Sequence, residues 1–186
     1  MVSEHITQVR YFYLGGCFKL KSLIPNLSNL AGTAKKHNVN VKVVLDHGRI
    51  TNTVSPEEVE CIKDLLPFVD FYLPSRNEFL VAWQAEEIEE GLKRTRARSE
   101  AKVVVKDGIN GAVGFNGQET FMVPAFQVEA VSTVGSGDSF NAGFIRAHRD
   151  GSNFEDCVRF ACATAAIKIS RSGLPTWESV MAILPT

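Results

Sequence analysis

Residues 131–144, VSTVGSGDSFNAGF, set Gly135, Ser136 and Gly137 directly ahead of an acid, Asp138, where an apolar helical stretch begins. Glycines on both sides of Ser136 let the backbone turn sharply. They leave successive N–H groups uncovered at a helix start, where the macrodipole adds about half a positive charge. Such a turn can cradle a phosphate or an oxyanion. An aspartate beside it has a specific use in phosphoryl transfer: the amides neutralise charge developing on the transferred group while the carboxylate accepts the proton of the attacking hydroxyl. The same spacing also fits a plainer arrangement, in which Asp138 is an acid favoured in a first helical turn and the glycines serve a tight connection. The sequence holds no GxxxxGK[ST], GxSxG or HExxH, so P-loop, hydrolase-elbow and zincin chemistry lack their parts.

Those residues need a scaffold, and the apolar pattern predicts one. Val9 to Leu14 (VRYFYL) reads as a strand ending at Gly15-Gly16, and Ser22 to His37 carries a helical stripe at Leu23, Leu27, Leu30, Ala31 and Ala34. Val39 to Leu45 is a second strand, ending at Asp46. Ser55-Pro56-Glu57-Glu58 then opens a helix with a capping serine, a proline at its first position and acids in its first turn. A third strand, Val69 to Leu73, runs into Pro74-Ser75-Arg76-Asn77-Glu78 and a charge-laced helical stretch to about Ser99. Ala101 to Lys106 (AKVVVK) is a continuous apolar run of the kind that a parallel strand covered on both faces shows. Ala112 to Phe115 and Thr120 to Val123 form a hairpin around Asn116-Gly117, a pair that readily takes positive φ angles. Helices follow over about Gly137 to His148, about Phe154 to Ser170, and from Thr176.

Strands alternating with helices predict an α/β fold with a mostly parallel central sheet and helices on both faces, ending in a hairpin. Ligands in such sheets sit beyond the carboxyl ends of the strands. The candidate positions are therefore Gly15 and Gly16, Asp46, Ser75 and Glu78, Lys106 to Gly108, and the loop ending at Asp138. No repeat, linker or low-complexity tract interrupts residues 1–186, which read as one domain.

The chain has 186 residues, 45% hydrophobic and 22% charged, the profile of a soluble domain with a sizeable core. Its 20 Lys and Arg against 21 Asp and Glu leave a net charge of -1, which offers no general attraction for nucleic acid or an anionic membrane. No apolar run approaches the roughly 18–20 residues that span a bilayer, and MVSEHITQVR lacks the layout of a secretion signal. A cytoplasmic location is expected. Cys17, Cys61, Cys157 and Cys162 stand singly in apolar surroundings, which predicts buried free thiols rather than a zinc site or a disulfide set.

TVGSGDSFNAGF resembles the TxGAGDxFxAGF signature of the ribokinase-like carbohydrate kinases, the PfkB family. FYLPSRNE (71–78) resembles that family's strand ending in PNxxE, VVVKDGING (103–111) its VVxKxGxxG, VPAFQV (123–128) its VPAxxV, and SRSGLPTWESV a compressed form of its xRxGAxxGLPTxEEV ending. The matches keep their order along essentially the whole chain. The resemblance implies a ribokinase-like three-layer α/β/α fold and transfer of the ATP γ-phosphoryl group to a sugar or sugar-like alcohol, with Mg²⁺ bridging phosphates. On this resemblance Asp138 is the catalytic base and the amides of Gly135, Ser136 and Gly137 are the anion hole. Glu78 acts on the metal through water and phosphate. Lys106, Gly108 and Gly111 belong to the nucleotide-side loop, while a solvated strand-end residue is the alternative for Lys106 and a first-turn acid the alternative for Glu78. Asp46-His47-Gly48-Arg49 resembles the family's DxNxR, which places Asp46 and Arg49 near substrate or phosphate, and Gly15-Gly16 resembles a stretch on the sugar side. A surface arginine and a simple turn are the plainer readings of Arg49 and Gly16.

Several positions depart from the family pattern. Ser75 stands for the asparagine of NxxE, which shortens one polar contact near the phosphates. Ser132 replaces a carboxylate that supports a monovalent-cation site in ribokinase-type members, which argues against potassium activation. Cys162, within FACATAA (160–166), occupies a helix position often held by asparagine near adenine; small residues there either shape an adenine slot or let helices pack closely. The chain lacks counterparts of the family's early strands, its early glycine pair and its lid, so it resembles the carboxyl-terminal part. A truncated reading of a longer protein, a remainder carried on a separate chain, and a shortened descendant without catalysis all fit. The first function expected is a sugar kinase or its catalytic part; the other is a non-catalytic nucleotide- or sugar-binding or interaction module. An uncovered sheet edge predicts a homodimer or a separate amino-terminal part as partner.

Overall fold

The computed structural model describes residues 5–6, 8–48 and 55–184, which form two compact units, Met1–Val105 and Lys106–Thr186. In the first, β1 (Tyr11–Gly15), β2 (Lys42–Asp46), β3 (Phe71–Tyr72) and β4 (Lys102–Lys106, whose last residue belongs to the second unit) pair side by side in parallel, with Gly15 beside Asp46, Leu45 beside Tyr72 and Tyr72 beside Val103. Parallel neighbours require crossovers. Here these are α1 (Leu27–His37), α2 (Pro56–Leu65), and the pair α3 (Arg76–Trp83) and α4 (Ile88–Arg96). Val43, Val44 and Leu45 on β2 and Val103, Val104 and Val105 on β4 are all fully buried, as expected of strands covered on both faces. The predicted cap of α2 is present: the Ser55 amide donates to the Glu58 carboxylate at 2.7 Å and the Glu58 amide to Ser55 Oγ at 3.2 Å.

Strands β1 and β3 are shorter at their starts than the sequence predicts, β3 holding only Phe71–Tyr72, and three further departures in this unit have a local reason. The stripe from Ser22 starts as a 3-10 helix, Lys21–Asn26, because Pro25 has no N–H and disfavours α geometry in the residue before it. The second strand begins only at Lys42, since Asn38 binds the carbonyls of Ile6 and Val9 through its side chain and holds the preceding residues in a turn. The stretch to Ser99 is two helices. Gln84 takes a left-handed conformation, φ 51°, and Arg94 donates to the carbonyls of Trp83 and Gln84 that end α3.

In the second unit β5 (Ala112–Phe115) and β6 (Thr120–Val123) form the antiparallel hairpin with the expected bounds. Its turn works differently from the two-residue reversal that Asn-Gly suggests. Only Gly117 has positive φ, 103°, while Asn116 Oδ1 accepts the amides of Gln118 and Glu119, both at 2.9 Å. α5 (Ser136–Arg149) and α6 (Phe154–Ser170) follow, and Trp177 of α7 (Trp177–Met181) lies against Phe160, ring centroids 5.2 Å apart. Phe154 stands edge-on to Phe121 of β6 and to Phe144 of α5, which ties both helices to the hairpin. No helix among the described residues is long and apolar enough to cross a membrane.

The small residues of FACATAA let these helices come close. A β-carbon on Gly143 would stand 2.5 Å from Thr164 Oγ1 and 3.2 Å from Ala161 Cα, and Thr164 is held by its hydroxyl's bond to the Phe160 carbonyl at 2.7 Å. Gly143→Ala gains about 1 kcal/mol of helix propensity and loses about 1–3 kcal/mol to overpacking. A net loss of about 1 kcal/mol is expected, read as a lower urea midpoint at unchanged m-value; equal or higher stability would show that the crossing has slack.

Candidate active site

In the second unit the glycine turn has the conformation that its residues allow. Gly135 is left-handed, φ 77° and ψ 8°, and serves as N-cap of α5, whose first acid is Asp138. The Ser139 amide donates to the Gly135 carbonyl at 2.9 Å, which closes the first helical turn over these residues. Amides in a first turn have no acceptor within their own helix. One of the three proposed anion-hole amides is engaged inside the turn: Ser136 N–H donates to the Thr133 carbonyl at 3.2 Å. Asp138 is exposed.

Lys106, the last residue of β4, is half-buried rather than solvated. Its ammonium lies 3.4 Å from Oδ1 of Asn141, and a β-carbon on Gly137 would be 3.8 Å from Nζ. Asn141, itself buried, follows Asp138 by three positions on α5 and so shares its face. Asn141 is not among the positions that the sequence pattern singles out; a polar residue one turn after the acid, within the apolar FNAGF, is the available signal. The cation, the glycine turn and the acid therefore converge at one helix start.

Of the other nucleotide-side candidates, Gly111 and Cys162 are enclosed by the chain itself and Gly108 is not. Gly108, φ 56°, has open space where a side chain would be. Gly111, φ 98°, is required by its own neighbours, because a β-carbon there would stand 2.0 Å from the Val123 carbonyl oxygen and 2.6 Å from the Ala125 nitrogen. Cys162 is buried in α6, and burial pushes its thiol up to about 12. Burial likewise holds Cys17 up to about 12 and Cys61 up to about 11, and for Cys61 the carboxylates of Asp64, Glu57 and Glu58 add to it. Thiolates are the reactive form. A disulfide reagent at pH 8 is therefore expected to label the native chain slowly, Cys61 first as the cysteine that is not buried, and all four thiols rapidly in urea; fast native labelling of Cys162 would contradict this environment.

In the first unit the ends of β1 and β2 stay joined beyond the strands. The Gly16 amide donates to the Asp46 carbonyl at 2.7 Å and the Phe18 amide to the His47 carbonyl at 3.1 Å. Gly16 and Gly48, both left-handed, approach so closely that a β-carbon on Gly48 would meet Gly16 Cα at 2.8 Å. Asp46 is buried there. His47 belongs to the core: fully buried, it stacks on Phe18 at 5.1 Å, and its Nε2 is 3.0 Å from Tyr72 Oη. Burial raises the Tyr72 phenol well above its ordinary range, and the charges of Glu78 and Asp46 push it further. Glu78 is the third helical residue of α3 and closes a capping box with Ser75, whose amide donates to its carboxylate at 2.8 Å. Arg49 lies outside the described residues. Among the described residues, no group of three or more His, Cys, Asp or Glu could hold a metal ion.

A family profile described as pfkB family carbohydrate kinase matches residues 2–178. Among individual proteins, the chain is 29% identical to the ribokinase of Arabidopsis thaliana over 182 residues, 91% of this chain and 46% of that one. It is 28% identical over 154 residues to the 5-dehydro-2-deoxygluconokinase of Bacillus subtilis, 79% of this chain and 47% of that one. A crystal structure of an Escherichia coli protein described as a ribokinase II, in complex with ATP and Mg²⁺, superposes with a TM-score of 0.85 at 20% identity, covering 97% of this chain and 60% of the other. The fold is thus ribokinase-like, and the chain spans about half the length of the curated relatives it matches.

Proposed function

The chain belongs to the pfkB family of carbohydrate kinases, and on that premise we propose that it carries the phosphate-binding and proton-accepting part of an ATP-dependent sugar kinase. The observation that supports this most directly is the meeting of Asp138, the Gly135–Gly137 turn and the Lys106 ammonium at the start of α5.

In the reaction, Asp138 takes the proton of a sugar hydroxyl as that oxygen forms its bond to the γ-phosphorus of ATP. The bond from the γ-phosphorus to the bridging oxygen breaks, and its electron pair leaves with ADP. Backbone amides of the turn and the Lys106 ammonium oppose the negative charge on the transferred group. Mg²⁺, when bound, supplies further neutralisation of the phosphates. Mg²⁺ sites commonly combine one or two carboxylates with substrate phosphates, and Glu78 is the carboxylate we assign to it, acting through water. As nucleotide-binding residues we assign Lys106, Gly108, Gly111, Ser75 and Cys162. On the sugar side we assign Gly16, Asp46 and Arg49.

The test is titration of the purified chain with ATP by calorimetry, followed by ADP release with a panel of pentoses, hexoses and deoxy-sugar acids. ATP binding with release dependent on one sugar is the expected result. Binding without release with any sugar would favour a nucleotide-binding module; absence of ATP binding would refute both.

A further inference from the structure

The end of α6 is pinned to the segment that leads into the glycine turn. The amides of Val131 and Ser132 both donate to the Ile169 carbonyl, at 2.9 and 3.2 Å. Lys168 immediately precedes that carbonyl, in the last turn of α6. Its side chain reaches the turn itself: Cε lies 3.4 Å from the position that a β-carbon on Gly135 would take, and the ammonium is one bond further along. A lysine in a last helical turn ordinarily serves its own helix's terminal carbonyls or faces solvent. Lys168 is half-buried, and among the described residues its side chain has no hydrogen bond or ion pair. Arg146, Arg149 and Arg159 of the same unit each hold an aspartate or glutamate.

We propose that Lys168 is a second phosphate-binding side chain of this site, its ammonium contacting a phosphate oxygen of the nucleotide at the Gly135 end of the turn while Lys106 serves the Gly137 end. The assignment rests on the reading of the turn as a nucleotide-phosphate cradle. Two lysines from different elements, β4 and α6, then flank the start of α5, and the glycines keep side chains out of the space between their ammonium groups and the backbone amides. Neutralising a polyphosphate with ammonium groups also makes its affinity depend on ionic strength.

Lys168→Met keeps the aliphatic stem against Gly135 and removes the charge; Lys168→Arg keeps the charge. Calorimetric titration of the whole chain with ATP, and separately with adenosine, is expected to show ATP affinity reduced about tenfold or more in Lys168→Met, the size of a lost hydrogen bond to a charged group. Adenosine affinity should be unchanged, Lys168→Arg should stay within about threefold of wild type, and the salt dependence of ATP binding should be shallower in Lys168→Met. Equal ATP affinity in Lys168→Met and wild type, or parallel losses for ATP and adenosine, would overturn the assignment to phosphate. Failure of the wild-type chain to bind ATP would instead overturn the functional reading on which it rests.

Discussion

Asp138→Asn is expected to lower ATP-dependent turnover by about 10²–10⁴-fold, the usual contribution of a positioned general base, while ATP still binds. Asparagine has the shape of aspartate and is tolerated in a first helical turn, and the side chain is exposed, so the fold loses at most the carboxylate's favourable interaction with the helix dipole, about 0.3–1 kcal/mol. What the amide cannot do is accept the hydroxyl proton. Because the substitution also removes a negative charge beside the phosphates, nucleotide affinity should hold or rise slightly. Steady-state ADP release and calorimetric ATP titration on the same preparation separate the two effects. Turnover within a few-fold of wild type would show that another group takes the proton.

Gly137→Val is expected to act on binding instead, weakening ATP by about 10–100-fold, the equivalent of losing a hydrogen bond to a charged group. The position lies in α5 without positive φ, and the nearest atom to an added β-carbon is Lys106 Nζ at 3.8 Å. The backbone therefore accepts valine without strain, and thermal stability should be close to wild type. The new side chain would stand where the phosphate approaches the amides and the Lys106 ammonium. Normal ATP affinity in a well-folded Gly137→Val protein would mean that phosphates bind elsewhere. Gly135 and Gly111 make poorer tests, since their left-handed backbones would couple any loss of binding to a loss of fold.

Local chemistry was the legible part. The Ser55 cap with Pro56 behind it, the hairpin strands and the bounds of α6 follow from residue types within a few positions of each other, and the structure reproduces them. Boundaries slipped where one residue overrode the periodicity: Pro25 delayed α1, and Gln84 divided α3 from α4 while every apolar position around it still suggested helix. At the hairpin the pair Asn116-Gly117 marked a turn correctly but not its mechanism, because an Asn side chain can replace a backbone conformation by accepting amides.

By itself, then, the sequence determined the parallel α/β alternation, the glycine turn at the head of α5 and the acid at Asp138, all consequences of near neighbours along the chain. Only the tertiary structure decided which side chains come to that turn. Lys106 bonds to Asn141 from 35 positions away, Lys168 arrives from the far end of α6, His47 withdraws into an aromatic core, and Gly111 is held by Val123–Ala125. Periodicity reports which face of an element is buried but not what lies opposite it. That is set when elements distant in sequence pack, and a lysine at a strand or helix end looks the same in sequence whether it faces water or a phosphate.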